Sequence, residues 1–296
     1  MIPRIIHQTW KKQDLPERYQ RWAQTFRRRL PNWEYRLWDD ADCLQFVHEN
    51  FPQDLRTYQG LSNPAQKSDL FRYMVLFVHG GLYADIDCEC KRPLDFISDN
   101  DEFIAAVELQ TTDPKIMELY PTDLHEIYCQ WAFLARPEHP VLAGVIEQIR
   151  QTGHQKWSDN PILDVVKRTG PHVFTKILKQ FLAKGSPIKI LPASFFGCCD
   201  GRNMFRFALS FFFPTLFRKV YIRHHFEGSW IDKKVKREMF RRNLAFSAKR
   251  KKVIPRREDL PTYSRAPRCS SNHFARCDSF PLGIGSGAGS IFDVPK

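Results

Sequence analysis

Along the first two hundred residues, short apolar runs alternate with longer stretches of helical period, and the alternation predicts strands followed by helices. The run "IPRIIHQTW" (2–10) predicts a buried first strand, "DLPERYQRWAQTFRRRLP" (14–31) an amphipathic helix, and "WEYRLWDD" (33–40) a second strand ending in acids. In "NPAQKSDLFRYMVLFVHGG" (63–81) Asn63 reads as an N-cap, Pro64 fits the first turn and Gly80-Gly81 ends the helix. "LYADID" (82–87), "EFIAAVEL" (102–109) and "WAFLARP" (131–137) read as strands, and "PEHPVLAGVIEQIRQ" (137–151) as a helix. "TGPHVFTKILKQFLAKG" (169–185) reads as a turn entering a helix, and "PIKILPASFFG" (187–197) as a late strand. Strands alternating with helices predict an α/β sheet sandwich.

Beyond Lys249 the periodicity stops, and a basic "KRKK" gives way to Pro, Ser, Arg and "GIGSGAGS". The expected organisation is one catalytic domain over 1–249 and a disordered tail over 250–296. Charge sharpens this picture. Residues 218–257 hold 15 of the 45 Lys/Arg against 3 of the 33 Asp/Glu, so the net charge of +12 resides in that segment. Such a block suits nucleic acid, an anionic membrane or plain solvent. Eight cysteines without C-x-x-C spacing suggest reduced thiols, hence a cytoplasmic setting. No segment reaches the roughly 20 apolar residues of a membrane span, and the N-terminus lacks the features of a signal peptide.

The chemistry concentrates in "GGLYADIDCEC" (80–90). Read as part of a strand, Asp85 and Asp87 project to one side, and two carboxylates there are hard ligands for Mn²⁺ or Mg²⁺, which in turn bind phosphate oxygens. A solvated acid pair at a turn is the plain alternative. Its weight falls because Asp69 and Arg72, at i and i+3, put charge on a largely apolar helix that leads into the same glycines. Cys88 and Cys90 read as strand filler beside those hard ligands. Gly170-Pro171 offers a helix start whose free N–H groups suit an anion or an acceptor hydroxyl, though helix punctuation alone produces the same residues.

Taken in order, "IPRIIHQTW", "YRLWDD", "KSDLFRYMVLFVHGGLYADIDCECKRPLD", "TGPHVFT" and "HHFEGSW" resemble the successive blocks of the DXD-containing sugar transferases of glycosyltransferase family 32. The resemblance implies a GT-A fold, with a Rossmann-like nucleotide-binding sheet, Mn²⁺ or Mg²⁺, and a nucleotide-sugar donor. It places Asp85 toward the metal and the donor ribose, Asp87 on the metal, and Tyr83 near the diphosphate. Asp69 and Arg72 would hold donor-sugar hydroxyls, and Trp10 would stack on the base. His225, taken in preference to His224, would complete the metal shell, and Ser229 and Trp230 would reach the diphosphate. The activity implied is retaining transfer of a hexosyl or N-acetylhexosaminyl unit to a saccharide or lipid-linked saccharide acceptor, in surface polysaccharide or glycan synthesis.

Two rival readings use the same residues. Metal-dependent phosphoryl transfer employs paired acids but leaves Asp69 and Arg72 without a task. Nucleic-acid binding would employ 218–257, which lacks interleaved stacking aromatics, so no nucleic-acid partner is expected. "NMFRFALSFFFPTLFRKVYIRHH" (203–225) has six phenylalanines from Phe205 to Phe217 with positive charge after them. It is either a buried helix or an interfacial element that would make the enzyme peripheral on the inner face of an anionic membrane.

Overall fold

The computed structural model describes residues 1–110, 126–198 and 220–231. All of them belong to one compact unit, Met1–Ala245. The tail expected over 250–296 and the phenylalanine-rich segment before residue 220 lie outside the described residues. Among the described residues no helix is long and apolar enough to cross a membrane.

The α/β expectation is met. Strand β1 (Ile5–Thr9) is followed by α1 (Glu17–Arg29), β2 (Glu34–Trp38), α2 (Asp40–Asn50), a short α3 (Leu55–Gly60), α4 (Pro64–His79) and β3 (Gly81–Ala84). β1 pairs in parallel with β2 on one side and β3 on the other. Beyond β3 the sheet turns antiparallel through β7 (Ala132–Ala135), β5 (Phe103–Gln110) and β6 (Glu126–Tyr128), giving the order β2-β1-β3-β7-β5-β6. Strand β8 (Ile188–Leu191) pairs in parallel with β5. A smaller sheet joins β4 (Cys88–Cys90), β10 (Ile222–His224) and β9 (Phe196–Cys198). Helices α5 (Pro140–Thr152), α6 (Pro161–Arg168) and α7 (Pro171–Ala183) complete the set.

Side chains alternate across the sheet as its pleat requires. Tyr83, Phe103, Ala105 and Phe133 enter a core built with α2, α4, α5 and α7. Leu82, Ile104, Ala106 and Leu134 enter a second core on the opposite face, with Phe26 and Leu30 of the α1 region. Both faces are therefore covered, and the strands read as apolar runs.

Three boundaries differ from the sequence reading. "LYADID" is a strand only to Ala84: Asp85 N still reaches Trp131 O (2.8 Å), and then Cys88 N bonds Asp85 O (2.9 Å) to close a turn. The two acids therefore sit on a turn, and strand alternation is not what brings them together. "PIKILPASFFG" splits into β8 and β9 at a turn closed by Phe195 N on Pro192 O, and the two strands join different sheets. The acids after β2 begin α2, an element not anticipated. Asp39 caps Ala41 N and Asp42 N at 2.9 Å while Asp42 Oδ2 accepts Asp39 N at 3.1 Å, a reciprocal box.

The boundaries of α4 are as expected. Asn63 accepts Ala65 N (2.9 Å), Pro64 opens the first turn, and Gly80, at φ +65°, ends the helix. Gly81 has φ +98°, and a Cβ there would collide with the Ile5 carbonyl. The glycine pair thus lets β3 lie against β1 and sets where the following acids emerge.

Candidate active site

β1 has the parallel β2 on one side and the parallel β3 on the other, and the chain just beyond the carboxyl ends of such strands is the usual place for ligands in such sheets. Trp10 follows β1 there and Asp85 follows β3. The chain near these strand ends carries a largely buried polar network that no single sequence segment contains.

Arg72, 3% exposed, is its hub. Its Nη2 lies 3.1 Å from Asp69 Oδ1 and 3.0 Å from Asp85 Oδ1. Nη1 donates to the Gln130 carbonyl (2.9 Å), Nε to the Ser68 carbonyl (3.3 Å), and the guanidinium lies 4.7 Å from the Tyr83 ring centroid. The planar fork of an arginine is what allows one side chain to join two carboxylates and two carbonyls. Asp69 is held equally fully: Gln130 Nε2 donates to Oδ1 (3.0 Å) and Thr169 Oγ1 to Oδ2 (2.8 Å). Burial pushes the Asp69 carboxyl up from the ordinary aspartate range, against the pull of Arg72 and of these two donors.

Asp85 is fixed from three directions. Tyr83 donates its hydroxyl to Oδ1 (3.1 Å), Gln8 Nε2 donates to the Asp85 carbonyl (2.9 Å), and Arg72 supplies charge. The Tyr83 oxygen also lies 3.0 Å from the hydroxyls of Thr9 and Ser68, and Tyr35 donates to Gln8 Oε1 (2.7 Å). Burial raises the Asp85 carboxyl to about 6, with Arg72 opposing and Asp87 reinforcing the shift.

Asp87, two residues on, has different neighbours. His224 Nε2 lies 3.0 Å from its Oδ1, and Glu227 N donates to Oδ2 (2.8 Å). Burial works against its charge, but His224 and the backbone donor prevail and hold the carboxyl below the ordinary range. The same pair raises the His224 imidazole: burial lowers it, and Asp87 outweighs burial. His224 stacks on Trp131 (centroids 4.5 Å apart), which fixes its ring plane.

Carboxylate oxygen and imidazole nitrogen are both ligands that a divalent cation accepts. Ligand atoms of Asp87, Cys88 and His224 lie within 4.8 Å of one another, and His224 Nδ1 is buried without a hydrogen-bond partner among the described residues. The donor set fits a divalent cation. Of the three, the Cys88 thiol is the poorest candidate, because burial holds it protonated far above its usual range.

The remaining residues singled out by the sequence fall as follows. Asp69, Arg72, Tyr83 and Asp85 are brought into one network. Trp10 is half-buried just after β1, its ring centroid 4.6 Å from that of Tyr19. His225 does not share the place of His224. Its ring stacks on Trp22 (4.1 Å), its Nε2 lies 3.4 Å from Glu89 Oε2, and only its backbone N reaches Asp87, at the carbonyl (3.0 Å). Strand alternation explains the difference, since His224 ends β10 facing inward and His225 faces away. Ser229 is exposed and Trp230 half-buried on a turn after Gly228.

Gln130, Thr169, Thr9 and Ser68 were not foreseen. They are neutral, lie 39 to 160 residues from one another in pairs drawn from different elements or within one turn of Asp69, and carry no charge pattern. The one available signal was Thr169, immediately before the Gly170-Pro171 helix start.

Residues 16–104 match the sequence profile described as "Glycosyltransferase sugar-binding region containing DXD motif". The chain is 32% identical over 208 residues to inositol phosphoceramide mannosyltransferase 1 of Schizosaccharomyces pombe, covering 69% of this chain and 59% of that protein. It is 27% identical over 207 residues to the initiation-specific α-1,6-mannosyltransferase of Candida albicans, covering 61% and 53%. The chain thus spans between half and three-fifths of the length of these relatives. Among solved structures, the galactosyltransferase LgtC, in complex with donor and acceptor sugar analogs, is 14% identical with a TM-score of 0.42 over 83% of this chain and 95% of that one.

Proposed function

We propose, from the premise that residues 16–104 carry the sugar-binding region of the DXD-containing glycosyltransferase family, that this chain is a metal-dependent, retaining glycosyltransferase. It moves a hexosyl or N-acetylhexosaminyl unit from a nucleotide-sugar to a saccharide or lipid-linked saccharide. The observation that carries the reading is the juxtaposition of two differently held acids, Asp85 on Arg72 and Asp87 on His224, at the carboxyl end of the parallel strands.

Asp87 and His224 would hold the cation, with Asp85 beside them and His225 the alternative raised by the sequence. A bound Mn²⁺ or Mg²⁺ supplies charge that makes the nucleoside diphosphate a better leaving group. Around it, Arg72 keeps Asp85 and Asp69 in fixed orientation, and Tyr83 holds Asp85 Oδ1 through its hydroxyl. Trp10 offers an aromatic face to the base, and Ser229 and Trp230 offer a hydroxyl and an indole N–H to the diphosphate. Asp69 would meet hydroxyls of the donor sugar at the edge of its existing bonds.

Both Asp69 oxygens are already engaged, and Asp85 Oδ1 is shared by Arg72 and Tyr83. That commitment makes neither acid an apt covalent nucleophile. It favours attack by the acceptor hydroxyl on the face the diphosphate leaves, with the departing phosphate oxygen taking the hydroxyl proton.

The test is hydrolysis of a panel of nucleotide-sugars with Mn²⁺. We expect turnover of at least one donor, abolished by chelation and restored by added metal, and lost in Asp87→Ala with the fold intact. Turnover by Asp87→Ala in the presence of chelator would refute the reading.

A further inference from the structure

A cavity of about 500 Å³ opens at the other end of the parallel strands. Its walls carry Arg4, which precedes β1, and Arg28 and Arg29 from the last turn of α1. Trp33, just before β2, and the buried Leu30 and Leu94 give it apolar surface. β1 is five residues long. At about 3.3 Å per residue the cavity therefore stands one strand length, roughly 17 Å, from the chain that carries Trp10 and Asp85.

The three arginines are short of acids. None of them makes an ion pair among the described residues, whereas Arg18, Arg21, Arg36, Arg136 and Arg150 each lie on a carboxylate. Glu34, joined to Arg4 by its backbone N on the Arg4 carbonyl (2.9 Å), gives its two oxygens to Arg36 at 2.6 and 3.1 Å. Asp95, the one acid among the described residues that line the cavity, is engaged by the Tyr221 hydroxyl. Part of the pattern has a plain cause, because basic residues in a last helical turn offset the macrodipole. Arg27 shows that such a residue needs no ligand: its guanidinium lies 3.9 Å from the Tyr35 ring centroid. That cause does not reach Arg4, which a different element brings to the same cavity. With about −0.5 for the end of α1 and −1 for Asp95 against +3 for the arginines, the cavity keeps a surplus of roughly +1.5.

Like charges gathered in one concavity raise each other's energy unless an anion shares them. Guanidinium forks match phosphate oxygens in pairs, and an aromatic face beside them suits the group that the phosphate is attached to. We infer that this cavity is a binding site for a phosphate monoester, apart from the place of the donor diphosphate, with Arg4, Arg28 and Arg29 on the phosphate oxygens and Trp33 against the esterified group. The inference does not depend on the glycosyltransferase reading. A soluble phosphorylated compound and a lipid headgroup offer the same chemistry here.

The experiment is fluorine NMR of the full chain carrying fluorotryptophan, titrated with inorganic phosphate in chelator at constant ionic strength, with the Trp33 resonance assigned through Trp33→Phe. That resonance is expected to shift saturably. In the triple variant Arg4→Gln, Arg28→Gln, Arg29→Gln the apparent Kd should rise at least about tenfold, the scale of lost charge-assisted bonds. All three positions are exposed, so the fold should survive, which circular dichroism checks. Arg28→Gln alone, expected to raise Kd roughly threefold, keeps the test decisive if the triple variant does not fold. A Trp33 resonance that phosphate leaves unmoved, or one that moves with the same Kd in the variants, overturns the site. Nucleotide-sugar hydrolysis should be unchanged in the triple variant, and a parallel loss would overturn the separation from the catalytic network. Cosedimentation with phosphatidylcholine vesicles containing phosphatidic acid, against charge-matched phosphatidylserine, identifies the source. A preference for phosphatidic acid that the triple variant loses assigns a lipid headgroup, and equal binding by wild type and variant assigns a soluble phosphate compound.

Discussion

Replacing Arg72 by methionine removes the arginine that the buried Asp69 and the half-buried Asp85 share. Asp69 and Asp85 lie 3.1 and 3.0 Å from its Nη2; the side-chain exposures of Arg72 and Asp69 are 4% and 2% and that of Asp85 is 25%, so solvent compensates Asp69 poorly and Asp85 only in part. Breaking a buried ion pair by removing one partner costs about 3–5 kcal/mol, a large share of the roughly 5–15 kcal/mol that stabilises a domain. The cost should depend on pH. Burial raises both acids above their unfolded values, Asp85 to about 6, so the native state holds more protons than the unfolded chain between the ordinary aspartate range and that value. Stability therefore falls as pH rises through this window, and without Arg72 both shifts grow and the fall steepens. Urea unfolding of wild type and Arg72→Met at pH 5 and pH 7.5 measures this, with the larger difference expected at pH 7.5. A difference below about 1 kcal/mol at pH 7.5, or one independent of pH, would show that the arginine is not what balances these acids. Arg72→Lys retains charge but not the fork, so it should recover part of the stability while transfer stays down about 100-fold, because an ammonium cannot hold both carboxylates and the Gln130 carbonyl in register.

Two further outcomes follow from groups outside the network. His7 is fully buried with Nε2 on the Gly80 carbonyl and Nδ1 accepting from Trp38 Nε1, so only the neutral tautomer satisfies both, and burial lowers it to about 3. Its contribution is present above the ordinary histidine value and is lost as pH falls toward 3, at about 1.4 kcal/mol per pH unit; His7→Gln should flatten the urea midpoint between pH 6 and pH 4, and an unchanged slope would assign acid sensitivity elsewhere. The basic block after the phenylalanines should give salt-sensitive binding to anionic liposomes, at about 1 kcal/mol per basic residue near the surface, weakened by changing Phe211, Phe212 and Phe213 to serine. Wild-type protein that ignores such liposomes at low salt would make this segment part of the core or of an acceptor loop.

What the sequence disclosed was local. Asn63-Pro64 and Gly80-Gly81 bracket α4 by capping and by positive φ, effects that act within a few residues, and both ends of the helix fall where they indicate. Asp69, Arg72, Asp85 and Asp87 stood out because charge next to apolar runs is costly and therefore informative. The neutral members of the network stayed hidden because their role exists only once the sheet has formed: Gln130 and Thr169 reach Asp69 across 61 and 100 residues. The sequence reading takes His225, whereas His224 is the one that lies against Asp87, for a related reason. A strand sends neighbouring side chains to opposite faces, and which face looks inward depends on the pairing of β10 with β4, where His224 sits opposite Cys88, the residue after Asp87.

The pair of acids in "DID" is thereby better understood as two different groups than as one motif. Asp85 is held by an arginine and a tyrosine that are themselves buried and belong to the α4–β3 framework, so its position is set before any ligand arrives. Asp87 is held by a histidine and a backbone N–H from residues 224 and 227, a segment that reaches it from the far end of the described chain. That segment turns sharply at Phe226, which adopts φ +49°, a left-handed conformation unusual for a bulky side chain, and this turn aims Glu227 N at Asp87 Oδ2. The opposite shifts of the two carboxyls, one upward by burial and one downward by His224, follow from these different supports. Equal residues two positions apart thus acquire unequal basicity, which is the condition for giving one a metal and the other the work of orientation.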